Sequence, residues 1–191
     1  MKYPGFRVKE FFVPEFELTP GKMIRFWVQI LPEKENQTDG YWAVKRIVEI
    51  IEKYNNQNLG AKIHLCPIKL KIGPFDFIKP IKVKEYLEKV FGVKSNKIKD
   101  DLSSFNIKPE YTIREMGYAH QKLFSIICGI EQYDITAFDF YGFDPDTEIR
   151  LMKYIHVKLD EGKSLLAFDN LGYKEENFDI LNVENIMIER V

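Results

Sequence analysis

Four carboxylates, Asp139, Asp144, Asp146 and Glu148, follow the apolar run Ile135 to Phe138. Carboxylates gathered at the end of a strand are hard oxygen ligands and suit magnesium. The same residue types also suit the first turn of a helix, where the macrodipole favours acidic side chains. Asp144 followed by Pro145 reads as a cap with proline at the first helical position. Asp144, Asp146 and Glu148 are therefore assigned to helix-start chemistry. Asp139 ends a buried strand between Phe138 and Phe140, and for it both readings stay open. The spacing fits neither an EF-hand nor a D-x-D-x-T phosphatase motif. No metal is expected, and Asp139 is the one weak candidate ligand.

His64 and Cys66 alternate along a strand and could supply two metal ligands, but zinc needs three or four, and no second pair stands at useful spacing. His120 and His156 are single residues in helical patterns, so all three histidines are assigned structural roles. The five serines lie on no recognisable nucleophile elbow. Cys128 sits in an apolar helical run, whereas reactive thiols need electropositive, partly exposed surroundings. Cys66 and Cys128 both sit in apolar surroundings and read as two buried free thiols in a reducing compartment. No intact hydrolase site is legible.

Glycine spacing excludes more. There are 11 glycines, and no two lie closer than ten residues apart. A G-x-G-x-x-G fingerprint, an intact P-loop, a G-x-S-x-G elbow and a Gly-rich oxyanion loop all need glycines clustered for tight turns or close approach to a ligand. Charge excludes less: 28 Lys and Arg balance 29 Asp and Glu. Lys79, Lys82, Lys84, Lys94, Lys97 and Lys99 fall close together but read as a solvated helical face, and no nucleic-acid partner is expected. The N-terminus has no apolar h-region, and the longest apolar stretch, Leu123 to Ile130, is too short to span a bilayer. A cytoplasmic location is expected.

These residues must be positioned by alternating elements. Phe6 to Leu18 is strand-like, Thr19-Pro20-Gly21 a turn, and Met23 to Ile30 a strand buried on both faces. A helix runs from Thr38 or Asp39 to about Tyr54, with Tyr41 and Trp42 in its first turn and Lys45 and Arg46 on a solvated face. Lys62 to Leu65 is a short strand, and Ile68 to Phe77 is extended with a turn at Gly73-Pro74. Helices are expected at Val83 to Phe91, at Asn96 to Phe105, and from Pro109 or Thr112 through Ile127. Asp134 to Phe138 is a strand. A helix after Asp144 stops at Gly162, and Ser164 to Phe168 is a buried strand. The tail reads as two short strands around Glu184-Asn185. The order argues an α/β fold with a largely parallel sheet.

The stretch Tyr111 to Asn170 resembles the second half of the nucleotide-binding subunit of ABC transporters. Gly142-Phe143-Asp144-Pro145 resembles the D-loop, the strand ending at Asp139 stands at the Walker B position, and Gly162-Lys163-Ser164 matches the turn into the last strand. Phe16 to Ile30 looks like the strand–turn–strand entry to the P-loop. Lys71-Ile72-Gly73 resembles the approach to the Q-loop, Lys82 to Leu87 part of the helical subdomain, and Phe178 to Val191 the closing hairpin. The resemblance implies a P-loop NTPase-like, ABC ATPase-like three-layer core with a β-rich N-terminal part. It also implies a single domain over residues 1–191 with a helical subdomain at about 82–130.

The departures concern chemistry. After Ile30 the chain reads LPEKENQTDGYWAVKR, without the phosphate-cradling glycines or the Lys-Ser/Thr pair, and with Glu33 and Glu35 opposing a phosphate. Tyr41 and Trp42 would stand where phosphates belong, as a plug or as ordinary core. The Q-loop glutamine position falls near Phe77. The signature positions fall on Glu115-Met116-Gly117-Tyr118-Ala119 and keep one glycine, Gly117. Phe140 holds the catalytic Glu position, the D-loop follows Asp139 two residues early, and Asn170 holds the switch His position. Phosphoryl transfer rests on positioning and electrostatics, so the resemblance implies a pseudo-ATPase with no catalytic residue. Its remnants are Asp139, Gly117, and Gly142, Asp144 and Pro145 of the D-loop.

ATP and magnesium are expected to bind weakly if at all. Family members work as head-to-tail dimers with the D-loop at the interface. The implied partners are another ABC ATPase-like subunit, self or an intact paralogue, and a membrane permease, with the chain peripheral at the inner membrane face. The alternatives are a stand-alone binding or scaffold protein, and a metal-dependent hydrolase using Asp139.

Overall fold

The computed structural model describes residues 1–28, 38–57, 62–67, 70, 80–170 and 182–190, without the side chains of residues 38–43, 170 and 190. The chain divides into two compact units.

The first unit comprises Met1–Leu65, Tyr133–Gly142 and Ile155–Val191. Its strands are β1 (Lys2–Tyr3), β2 (Phe6–Val8), β3 (Phe11–Val13), β4 (Phe16–Glu17), β5 (Met23–Val28), β6 (His64–Leu65), β7 (Ile135–Asp139), β8 (Ser164–Asn170) and β9 (Val183–Arg190). Among the described residues, seven form one sheet in the order β2-β3-β9-β5-β8-β7-β6. The pairs from β9 through β6 are parallel, and β2 and β3 add an antiparallel edge. β5 is buried at every position, as expected of a central parallel strand whose apolar run is broken only by Arg25.

The strand-like stretch Phe6 to Leu18 resolves into β2, β3 and β4. Lys9, at φ 50°, turns the chain between Val8 and Phe11, which are paired. Phe16 leaves that hairpin to pair with Tyr3 of β1 and stacks on its ring at 4.6 Å. Helix α1 (Thr38–Gln57) lays Val44, Ile47, Val48 and Ile51 into a core with Ile24, Phe26, Val28 and Phe168. Phe26 stacks on Phe168 at 5.2 Å and meets the edge of Phe16 at 5.2 Å.

The tail departs from the sequence reading. Glu184 and Asn185 do not form a turn between two strands; they lie inside β9, in register with Ile24 and Arg25. Asn182, at φ 66°, precedes the strand instead. The Asn185 side chain is retained within the sheet because its Oδ1 accepts the indole N–H of Trp27 at 2.9 Å.

The second unit comprises Cys66–Gln132 and Phe143–Tyr154. It holds α2 (Val83–Phe91), α3 (Ser95–Ser103), α4 (Tyr118–Gln132) and the start of α5 (Pro145–Asp160). α4 does not begin at Pro109 or Thr112. Residues 109–113 run beside the start of α2: Tyr111 O accepts Val83 N at 2.9 Å, Ile113 N donates to Ile81 O at 3.1 Å, and Lys82 and Thr112 form a bridge. A single 3₁₀ turn, Ile113–Glu115, follows before the helix. The pairing with α2 satisfies backbone groups that a longer helix would otherwise have used.

α5 ends in a Schellman motif. Gly162 N donates to Leu159 O at 2.8 Å and Lys163 N to Lys158 O at 3.0 Å, with Gly162 at φ 88°. Ser164 then opens β8, its N–H donating to Asp134 O at 2.9 Å.

Candidate functional site

Open α/β sheets bind ligands beyond the carboxyl ends of their parallel strands. In the first unit that edge is set by register: β8 lies between β5 and β7, with Val28 opposite Asn170 and Asp139 opposite Phe168. Asp139, Phe140, Tyr141 and Asp169 therefore gather at one end of the sheet.

Arg25, Trp27 and Asp169 occupy one face, since Trp27 and Asp169 are paired positions and Arg25 stands two residues before Trp27. The Arg25 guanidinium pairs with the Asp169 carboxylate, both side chains buried. It is sandwiched between two rings, 4.4 Å from the Trp27 centroid and 4.5 Å from that of Phe140. Phe140 is fixed there by its N–H, which donates to Phe168 O at 3.0 Å, and by edge contact with Phe138. An arginine so placed has its charge met by a carboxylate and its two faces covered by aromatic rings.

Sequence reasoning did not single out Arg25, Trp27 or Asp169, and took Asn185 for part of a turn. The available signal was an arginine inside the apolar run Met-Ile-Arg-Phe-Trp-Val, and an aspartate closing Leu-Leu-Ala-Phe-Asp. Charges inside such strands are retained when each has a partner.

Asp139 turns back on its own chain: its Oδ1 accepts the backbone N–H of Tyr141 at 3.1 Å. Burial pushes the Tyr141 hydroxyl well above its ordinary pKa, and the charges of Asp139 and Asp169 push it further. Tyr141 is thus a neutral phenol at physiological pH. Gly142 follows at φ 82°, a backbone conformation that favours glycine.

Asp144, Pro145 and Gly117 belong to the second unit. Both oxygens of Asp144 serve Thr147, Oδ1 accepting its N–H at 2.9 Å and Oδ2 its hydroxyl at 2.7 Å. These bonds, led by the one from the hydroxyl, hold the Asp144 carboxyl below the usual carboxylate range. With Pro145 opening α5, this is the helix-start chemistry expected of the pair. Gly117 stands at the entry to α4, its carbonyl accepting Gln121 N at 3.0 Å. A Cβ on Gly117 would meet nothing within 4 Å, so close packing does not require glycine there. The Gln121 amide ties the loop down by donating to Met116 O at 2.6 Å and Arg114 O at 3.2 Å.

His64 stacks on Tyr133, centroids 3.9 Å apart, and burial lowers its pKa. Among the described residues, no group of three or more His, Cys, Asp or Glu side chains gathers to hold a metal. Cys128 is buried, and that burial raises its thiol pKa far above the ordinary value. Arg46 pairs with Glu49 at 2.8 Å on an exposed part of α1. Glu33, Glu35, Lys71-Ile72-Gly73 and Phe77 lie outside the described residues, as do the side chains of Tyr41, Trp42 and Asn170. No described helix is long and apolar enough to cross a membrane.

The fold matches solved structures. A protein described as an ABC transporter ATP-binding protein, from Pyrococcus furiosus, aligns with a TM-score of 0.61 and 17% identity, over 92% of this chain and 90% of that one. The ATP-binding subunit of an ABC transporter aligns with a TM-score of 0.54 and 13% identity, over 82% of this chain and 71% of its own. A chain of a transporter described as metal-chelate type, in an inward-facing conformation, gives 0.57 and 10%, over 97% and 77%. Other matched chains are longer, and this chain spans 29% to 34% of their length. No protein-family model matches the chain, and comparison with curated proteins finds no match. The chain has the α/β, P-loop NTPase-like fold of ABC ATP-binding domains.

Proposed function

We propose that this chain is a pseudo-ATPase: an ABC ATPase-like domain that does not hydrolyse ATP and acts as a partner or regulatory subunit of an ABC-type transporter or similar assembly. The observation that carries the reading is Phe140. In the family this position, next to the Walker B aspartate, holds the carboxylate that activates water. Here it is an aromatic ring packed 4.5 Å from the Arg25 guanidinium. A phenyl ring accepts no proton from water. The segment after Ile30 also lacks, by sequence, the glycines and Lys-Ser/Thr pair that hold the phosphates.

The proposal covers a single ABC ATPase-like domain with a helical subdomain at about 82–130. Its retained Gly142, Asp144 and Pro145 suit docking on a second ABC ATPase-like subunit, either an intact paralogue or another copy, beside a permease.

The test has two arms. The purified chain is titrated with Mg-ATP while its melting temperature and phosphate release are followed; neither is expected to change. It is then mixed with an intact ABC ATP-binding subunit encoded beside it, and the mass of the complex is measured by light scattering. Micromolar nucleotide binding would raise the melting temperature clearly at millimolar ATP and overturn the emptied-site reading. A chain that stays monomeric in the presence of such subunits would favour a stand-alone scaffold. Hydrolysis that needs magnesium and is lost in Asp139→Ala would replace both readings with a metal-dependent hydrolase.

A further inference from the structure

The corner joining α2 to α3 combines positive charge with exposed apolar side chains. From Lys89 to Lys99 the chain holds four lysines and no acidic residue, in a protein of net charge −1. α2 ends at Phe91, one 3₁₀ turn spans Gly92–Lys94, and α3 starts at Ser95. The corner is braced from within: Leu87, Ile98 and Leu102 are fully buried, and Lys99 Nζ reaches back to Glu88 Oε1 at 2.8 Å.

Outside, Lys89, Lys94 and Lys97 are exposed. Val93 is 96% exposed and Val90 is 36% exposed. A single apolar residue in water is ordinary. Two within a lysine-only corner, one of them with almost its whole surface in solvent, match the two signals that bring a protein onto an anionic bilayer. Those signals are cations close to the headgroups and an apolar side chain able to enter the acyl boundary.

We propose that this corner docks on an anionic lipid surface, with Lys89 and Lys94 among the headgroup phosphates and Val93 inserted beneath them. A protruding turn suits lipid better than protein. A stable protein partner needs about 800 Å² of complementary surface on each side, whereas a bilayer accepts a protruding side chain without shape matching. The inference is independent of whether the chain hydrolyses ATP.

The test is co-sedimentation of the full chain with vesicles of phosphatidylcholine alone, and of phosphatidylcholine with about one third phosphatidylglycerol. Binding is expected only to the anionic vesicles, and is lost at about 0.5 M salt. The Lys89→Glu/Lys94→Glu variant is expected to bind about tenfold or more weakly. Val93→Asp should also weaken binding and Val93→Trp should strengthen it. All three positions are exposed, and an unchanged melting temperature would show that the variants remain folded. Failure of the native chain to bind anionic vesicles would overturn the proposal. So would equal binding by the native chain and the lysine variant, which would place the contact elsewhere. Equally tight binding to soluble polyglutamate, unaffected by Val93→Asp, would also overturn it by assigning the surface to an acidic polypeptide.

Discussion

Arg25 of β5 and Asp169 of β8 form a buried ion pair across two parallel strands, with the guanidinium held between the rings of Trp27 and Phe140. Both charges have left water, so the value of each depends on the other. Removing one partner strands a buried charge and costs about 3–5 kcal/mol, whereas replacing both with apolar side chains is often neutral or stabilising. Asp169→Ala is therefore expected to destabilise the chain by that amount in urea unfolding. Arg25→Met with Asp169→Leu should recover most of the loss. A double variant as unstable as the sum of its single changes would show that the pair is not a coupled unit.

A second prediction concerns alkaline pH. Burial raises the Tyr3 phenol from 10.0 to about 12, against the smaller, opposing effect of its hydrogen bond to Asn55. The folded state keeps this proton after the unfolded chain has lost it. The resulting stability is fully present below pH 10 and lost as pH rises from 10 to about 12. With screening by nearby solvent, about 1–2 kcal/mol is at stake. Tyr3→Phe leaves Asn55 without this partner and should cost about 1 kcal/mol at pH 7. The deficit should shrink or reverse by pH 12. A constant deficit across unfolding curves at pH 7, 10 and 12 would contradict this assignment.

The cap at α5 gives a third. Asp144 is held below the usual carboxylate range by Thr147, so its contribution is present above pH 3.8 and lost as pH falls through its lowered folded value. Asp144→Ala should lower the melting temperature by about 2–4 °C at pH 7 and flatten the acid limb of the stability curve. Asp144→Asn, which still accepts the Thr147 N–H, should keep most of the thermal stability and lose the acid dependence.

Thiol labelling separates the two cysteines. Cys66 is half-buried rather than buried as the sequence suggested, whereas Cys128 is buried within α4 and its pKa is raised, first by burial and then by the charges of Cys66 and Glu131. Dithionitrobenzoate at pH 8 should label one thiol in the native chain and the second only after denaturation. Rapid native labelling of both would place Cys128 in a more open environment.

What the sequence made legible was local or strongly patterned. The Asp144-Pro145 helix start needed only neighbouring residues, and α2 was readable from Val83 to its end at Phe91. β5 was evident from its apolar run, which Arg25 alone breaks. What failed depended on partners distant in the chain. Pro109 and Thr112 are good helix-start residues, yet Pro109 lies in a turn and Tyr111 to Ile113 pair with Ile81 and Val83 instead. Glu184-Asn185 reads as a turn until Trp27 supplies a partner for Asn185. Arg25 looked like an interruption in a strand because Asp169 is 144 residues away. D-loop-like residues were visible as a motif, but the cage that Trp27, Phe140 and Asp169 form around Arg25 exists only through the register of β5, β8 and β7.

That cage also determines what a direct attempt at restoring catalysis would do. Phe140→Glu puts a carboxylate beside Asp139, as the pseudo-ATPase proposal says the family has there, but places it against Arg25, where Asp169 already serves the guanidinium. Replacing a buried phenyl ring forfeits about 3–5 kcal/mol of packing, only partly returned by a second carboxylate near the arginine. On the pseudo-ATPase proposal, a base next to Asp139 still lacks an oriented phosphate, because the sequence after Ile30 has no glycine cluster or Lys-Ser/Thr pair. Phe140→Glu is therefore expected to melt lower than the native chain and to release phosphate from Mg-ATP at the rate of buffer alone. Measurable turnover in this single variant would mean that the phosphates are held by groups other than a P-loop. The emptied-site proposal would then fail at the nucleotide-binding step as well as at catalysis.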